Sequence, residues 1–304
     1  VTAKARELET GRRVLLYVVL CALAVTMILP LLWMLSTSVK QPGVPASSFF
    51  PGQPTAENYV KLFTALPFGR FYFNSILVVL VVTFGQLFTS ALAGYAFARL
   101  RFPGRDVIFF GYLATMMIPA AVTMVPQFLI LTRMPVLLNA LLNTTYFTDD
   151  VFLIGQWYAG KPLGIDSYFA LIVPMLFSPF GTFLLRQFFL SIPRELDEAA
   201  MIDGCGRFGI FRHIIVPMSK PALATLGIFV FMGTFKDFMW PLIMTNNMAM
   251  KTLPVGLANF QNLYRTDWSL LMAGSVMMTI PMVIIFLICQ KWFVSGIQLG
   301  AVKG

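Results

Sequence analysis

The apolar positions of this chain gather into long blocks rather than alternating or recurring as a narrow stripe. Six blocks stand out, at Val14–Ser36, Phe73–Ala98, Val107–Leu131, Ser167–Phe189, Ala222–Thr245 and Leu270–Phe293. Each is close to the roughly 20 residues a helix needs to cross ~30 Å of hydrocarbon. The pattern therefore predicts an all-α polytopic membrane protein with six transmembrane helices. Prolines fall inside five of the blocks, at Pro30, Pro119, Pro126, Pro174, Pro179, Pro241 and Pro281. They predict bent or broken helices, which a membrane tolerates where neighbours or a water-filled cavity satisfy the freed carbonyls. Such breaks suit a transport pathway. The second block is free of proline and carries Ser90, Gly94 and Ala98 at four-residue spacing, which lets a neighbouring helix approach closely.

Composition agrees with the pattern. Hydrophobic residues make up 58% of 304 positions and charged ones 12%, too little polar surface for a soluble domain of this size. The first block is too long for a cleavable signal and lacks a small-residue cleavage site, so it is expected to persist. Lys and Arg set the orientation. Segments at one side of the predicted spans hold fourteen of them and the alternate segments seven, with Lys236 left inside a span. Basic residues are retained on the cytoplasmic side, so both termini are expected there. This gives a cytoplasmic lead 1–13, a transmembrane region 14–293 and a cytoplasmic tail 294–304. Loops 37–70, 132–166 and 246–269 are expected on the exported side and loop 190–221 in the cytoplasm. Thr55 is placed to open a short interfacial helix in the first exported loop. Trp157 and Tyr158 in the second are candidates for an interfacial aromatic belt or for contact with an exported partner.

The net charge of +9 is mostly this topological signal; no interleaved basic and aromatic surface points to nucleic acid. The three cysteines lie in spans (Cys21, Cys289) or in the cytoplasmic loop (Cys205), and no Cys/His metal spacing occurs. The only histidine, His213, lies in the same loop, so neither a catalytic dyad nor a metal site can be built around it. No Gly-rich Lys loop for nucleotide phosphates is present. These features predict a protein that is not itself an enzyme and binds no cofactor. A secondary transporter or channel would need carboxylates or pore rings within its spans, and only Asp237 qualifies.

The stretch Ser191–Pro221 is organised beyond what a topogenic loop requires. Pro193 can open a helix with Glu195, Asp197 and Glu198 in its first turns, where the helix dipole favours acids. Ala199 and Ala200 give a low-profile contact surface, and Asp203-Gly204 ends the helix at a left-handed cap. A second short helix presents Phe208, Phe211, Ile214 and Ile215 at three- and four-residue spacing before Pro217 stops it. Two short helices meeting at a glycine make a rigid knob facing the cytoplasm.

Glu198-Ala-Ala, Asp203-Gly204, Phe211, Ile214 and Pro217 together resemble the EAA motif of permease subunits of binding-protein-dependent ABC importers. Arg186-Gln-Phe-Phe-Leu-Ser-Ile-Pro-Arg-Glu-Leu, Thr252-Leu-Pro-Val-Gly-Leu and the terminal Gly300-Ala-Val-Lys-Gly304 resemble the carbohydrate-uptake branch, that of the maltose permease small subunit. The resemblance implies an ABC importer type I permease fold in a bacterial cytoplasmic (inner) membrane. It implies a second homologous permease, an ABC ATPase dimer carrying ATP and Mg, and an exported solute-binding protein as partners, with a sugar as substrate. Glu198, Ala199, Ala200, Asp203, Gly204, Phe208, Phe211, Ile214 and Pro217 would seat against the ATPase, with Glu198 paired to a basic residue. The tail ending Lys303-Gly304 would reach into the ATPase dimer. Two features depart from the family's pattern: Cys205 replaces a usual Ala, and segment 132–166 is longer than is usual.

Lys236 is the most informative residue within the spans, because ionisable groups in a bilayer face protein or water and are functional by default. It stands in Gly233-Thr-Phe-Lys-Asp-Phe-Met-Trp-Pro241, where relatives carry Trp-Asn before the acid. Two readings stay open. Lys236 pairs with Asp237 or a partner subunit, or it faces an acidic cargo such as a uronate oligosaccharide or a sugar phosphate like glycerol phosphate. An i,i+1 pair on a helix diverges by roughly 100°, which disfavours pairing with Asp237. Phe238 and Trp240 are candidates to stack on sugar rings along the path.

Overall fold

The computed structural model describes residues 2–41, 44–45, 47–149, 160–261 and 266–301, with side chains described for those between 11 and 290. Apart from one isolated bridge between Gln261 and Thr266, its named regular elements are helical. In order they are α1 (Thr2–Ser38), α2 (Glu57–Ala65), α3 (Phe68–Arg99), α4 (Arg105–Ala114), α5 (Ala120–Leu142), α6 (Tyr168–Ile172) and α7 (Pro179–Ser191). There follow α8 (Glu195–Ile202), α9 (Arg207–Ile210), α10 (Val216–Met218), α11 (Lys220–Phe235), α12 (Met239–Met244), α13 (Leu253–Ala258) and α14 (Trp268–Ala301). Five helical stretches are long and apolar enough to cross a membrane: Gly11–Ser38, Phe68–Arg99, Ala120–Leu142, Tyr168–Ser191 and Trp268–Gln290. A sixth is counted when Arg207–Met218 and Lys220–Phe235, bent by 77°, are taken as one span. The expected all-α, multi-pass character holds.

Several expected boundaries move. The lead 1–13 is not separate from the first span, because α1 is already helical from Thr2. The third block divides: α4 runs into a short 3-10 turn, Ile118 is extended, and α5 begins after Pro119. Pro119 lacks an N–H and disfavours helix in the residue before it, which accounts for a break there. Pro126 and Pro135, by contrast, lie within α5, which continues to Leu142. Residues 132–142, expected in a loop, are therefore helix. The fourth block breaks between Val173–Met175 and Pro179, and the fifth at Lys236–Phe238. Trp157, Tyr158 and Asp150 of the long loop, and Lys303-Gly304 of the tail, lie outside the described residues.

The chain divides into two compact units, Val1–Leu66 with Leu257–Ile280, and Pro67–Gly256 with Pro281–Gly304. In the first, α1 leaves its apolar side chains from Val14 to Leu32 largely exposed, as suits lipid or a partner helix rather than a core. Beyond it Lys40 is fully buried. Its Nζ donates to Thr37 Oγ1 at 3.0 Å and to the Ser48 carbonyl at 2.5 Å, and lies 6.0 Å from the Trp33 ring. Burial pushes its pKa below the usual lysine range. Asn58 of α2 donates to the carbonyls of Ser38 and Lys40, both at 2.8 Å, and Thr55 Oγ1 accepts the Glu57 N–H at 3.2 Å. Thr55 is not the capping residue expected: the cap position of α2 is Ala56, one residue later, and it makes no side-chain cap bond.

The second unit is organised around α3, which packs chiefly on α7 and α11. The small-residue stripe explains the closeness of α3 and α7. Ser90 and Ala98 are buried, and a Cβ on Gly94 would meet the Arg186 backbone nitrogen at 3.1 Å and the Thr182 carbonyl at 3.3 Å. A Cβ on Gly181 would meet Ser90 Oγ at 2.6 Å. Leu185, Phe189, Leu226, Ile210 and Ile215 complete the core of this unit.

Candidate functional site

Two places in the second unit carry the features the sequence singled out. The first is the knob. Helix α8 begins at Glu195 with Asp197 and Glu198 in its first turn. It ends in a Schellman arrangement: Gly204 adopts φ +83°, its N–H donates to Met201, and Cys205 N–H donates to the Ala200 carbonyl at 2.8 Å. After this turn α9, a wider π turn (Phe211–Ile215) and α10 run on as one segment, Arg207–Met218. The expected two helices around a glycine are present, but Pro217 does not stop the second, which runs through it to Met218 and breaks at Ser219.

The expected contact face is only partly on the outside. Glu198, Ala199, Asp203, Gly204, Phe208 and Pro217 are exposed, and Ile214 is half-buried. Phe211 and Ala200 turn inward, as does Ile215, so they anchor the knob instead of forming its outer surface. Beside the expected Phe208, which is 65% exposed, two apolar residues outside the expected set face outward, Met201 at 56% and Ile202 at 86%. Met201 and Ile202 are adjacent at the end of α8, so no helical spacing marks them in the sequence as a contact pair.

The root of the knob was not anticipated. Arg99, in the last turn of α3, makes a 3.2 Å ion pair with Asp197 of α8, and both side chains are largely buried. Its other guanidinium nitrogen donates to the carbonyls of Phe189 (2.7 Å) and Ile192 (2.6 Å), where α7 ends. Tyr95, one turn earlier, donates its hydroxyl to the Arg207 carbonyl at 2.9 Å and packs its ring 5.2 Å from that of Phe211. One turn of α3 thus holds both helices of the knob.

The second place is a cavity of about 680 Å³, lined by Val82 and Gln86 of α3, by the break before α7, and by α11 through Met239. Lys236, Asp237 and Phe238 are on its wall. The three sit at the break between α11 and α12, not inside a helix. Lys236 is exposed and makes no ion pair or side-chain hydrogen bond among the described residues. Asp237 instead turns toward the start of α12, where Oδ1 accepts the Trp240 N–H at 3.5 Å. Trp240 is a correction: it is buried off the cavity, and its indole N–H donates to the Ala170 carbonyl at 2.9 Å. It holds α12 against α6. Across the cavity, Gln86 donates to the Met175 carbonyl (3.1 Å) and Thr89 to that of Leu176 (2.5 Å), so the carbonyls freed by the fourth-span break are satisfied from α3. Polar residues within an otherwise apolar span were the signal for this pair.

Helices broken around an open cavity, with an exposed helical knob held by a buried ion pair, define a membrane transport subunit of the multi-pass kind. The chain belongs to the family described as "Binding-protein-dependent transport system inner membrane component", which matches residues 86–299, and it is accordingly a multi-pass protein of the inner membrane. It is 36% identical over 249 residues to the arabinooligosaccharides transport system permease protein of Bacillus subtilis (strain 168), covering 82% of this chain and 79% of that one. It is 33% identical over 304 residues to the trehalose/maltose transport system permease protein of Thermococcus litoralis, covering 97% and 99%. Its fold matches a chain of a bacterial ABC transporter involved in the import of the acidic polysaccharide alginate. The TM-score is 0.74 at 22% identity, covering 96% of this chain and 99% of that one.

Proposed function

We propose that this chain is the transmembrane permease subunit of an ATP-driven oligosaccharide importer, with the knob Glu195–Met218 seated on a separate cytoplasmic ATPase. The observation that carries the reading is the knob itself. It is rigidly rooted at Arg99, capped at Gly204, and presents Glu198, Met201, Ile202 and Phe208 outward. Exposed apolar side chains on a rigid projection are the mark of a protein contact. The chain has no phosphate-binding loop, so energy reaches it through that contact. The excess of Lys and Arg on the knob's side supports a cytoplasmic placement of the knob and of both termini. A second, homologous permease closes the path, and an exported binding protein delivers the sugar. In this reading ATP binding draws the knobs together and reopens the cavity toward the binding protein.

A second reading concerns the cargo. Lys236 has no counter-ion among the described residues, while Asp237 is turned to a helix start, so the wall of the cavity offers a positive charge. That favours an acidic sugar or sugar phosphate over a neutral one.

Copurification of the expressed importer tests the main reading. The ATPase is expected to copurify with the parent chain and to be lost, or to lose its stimulation by the binding protein, with Glu198→Lys. A chain that transports alone, or a Glu198→Lys complex with normal coupling, would sink the assignment.

A further inference from the structure

We infer that α3 is a stiff rod joining the knob to the cavity, and that Arg99 is the positioning residue of that joint. The inference deepens the proposed function and rests on the knob being the ATPase contact.

Among the helices long enough to span, α1, α5 and α14 contain an internal proline, and the Tyr168–Ser191 span is broken before Pro179. Helix α3 alone runs unbroken and free of proline, for 32 residues, or about 48 Å at ~1.5 Å per residue. At one end Tyr95 and Arg99, four residues apart and so on one face, hold α8 through Asp197, α9 through the Arg207 carbonyl, and the end of α7. Thirteen residues back, about 20 Å along the axis, Gln86 lines the cavity and holds the Met175 carbonyl at the α6–α7 break. At the other end Asn74 donates to the carbonyls of Ala249 and Lys251, both at 2.9 Å, and Ser75 Oγ accepts the Leu253 N–H at 2.7 Å.

The contacts at the knob end decide how it moves. A knob tied to α3 only by apolar contacts could slide. One tied within a single turn by an ion pair to Asp197, a bond to the Arg207 carbonyl and a ring contact with Phe211, and flanked by two bonds to the end of α7, moves with α3 as one body. Displacement of the knob therefore reaches the Gln86–Met175 contact without an intervening hinge. The opposite cavity wall, broken at Lys236–Phe238, is the part that yields.

The test uses the assembled importer with its ATPase and binding protein, Cys21 and Cys289 replaced by Ser, and spin labels at native Cys205 and, on α3, at the exposed position Phe88→Cys. In labelled complexes that retain ATP-driven uptake, the knob-to-α3 distance is expected to be the same without nucleotide and with ATP trapped. A distance that changes between the two states overturns the rod. Arg99→Lys keeps the charge but loses the two-carbonyl fork. It is expected to cut uptake about tenfold or more while basal ATP hydrolysis persists, and to make the label distance vary with nucleotide. Uptake that stays in proportion to hydrolysis overturns the role of Arg99. If Arg99→Lys does not assemble, the labels on the parent chain decide alone. Absence of any ATP-dependent uptake by the parent complex would instead remove the functional reading beneath the inference.

Discussion

Arg99 and Lys236 are both cations in a chain that is overwhelmingly apolar, and their surroundings are opposite. Arg99 is buried, paired with Asp197, and bonded to two carbonyls at a helix end. Lys236 is exposed on a cavity wall, at a helix break, with no ion pair among the described residues. The difference separates two uses of charge in a membrane protein. A buried cation whose terminal nitrogens are held by a carboxylate and two carbonyls of its own chain is a fastening. A cation left open toward a cavity is available to whatever passes through or closes over it.

The contrast can be broken first at Arg99. Arg99→Met removes one partner of a buried pair and leaves the Asp197 carboxylate without its counter-ion, which costs on the order of 3–5 kcal/mol. In detergent, thermal unfolding should show a large loss of stability; an unchanged midpoint would mean the pair is dispensable. A smaller effect is expected at Trp240→Phe, where a buried carbonyl at Ala170 loses its donor, at about 1–2 kcal/mol. Uptake at permissive temperature should be close to that of the parent, because Trp240 lies off the cavity; strong loss of sugar affinity would restore it to the path. Smallest in stability is Lys236→Met, expected within about 0.5 kcal/mol of the parent. Its effect should appear in cargo selectivity, as a selective loss of ATPase stimulation by acidic oligosaccharides over neutral ones. Equal responses to both would remove the acidic reading and leave Lys236 to a partner subunit.

What could be read in advance was whatever the chain decides locally. Gly204 is a helix stop because of the two residues on either side of it, and it lies at a left-handed φ as expected. The break before Pro179 follows from the local pair Pro174 and Pro179. The close approach at Gly94 was legible as an option, since small residues at four-residue spacing permit it, but which helix would use it was not. The fastening at the knob was hidden. Arg99 read as a topological charge and Asp197 as a helix-dipole acid, and both readings are complete without the other residue, 98 positions away. Trp240 was misplaced for the same reason, since its hydrogen-bond partner is 70 residues upstream. The end of α5 was set too early at Leu131 because Thr132-Arg133 interrupts the apolar run, although Leu137, Leu138, Leu141 and Leu142 resume it.

The unbroken third helix also has a consequence for biogenesis. Its polar side chains bond to carbonyls that are made much later: those at Gln86 and Thr89 wait for residues 89 and 87 positions on, and Asn74 for residues 175 and 177 positions on. At ribosomal speeds of ~5–20 residues per second, Gln86 and Thr89, well inside the span, wait about 4–18 s before their partners emerge. An amide cannot remain unbonded in hydrocarbon for that interval without cost. The helix is therefore expected to linger in a hydrated translocation channel, or against a helper protein, and to enter lipid only when the segment around Met175 and Leu176 arrives. Nascent chains stalled before that point should remain extractable from the membrane, and those stalled after it should not.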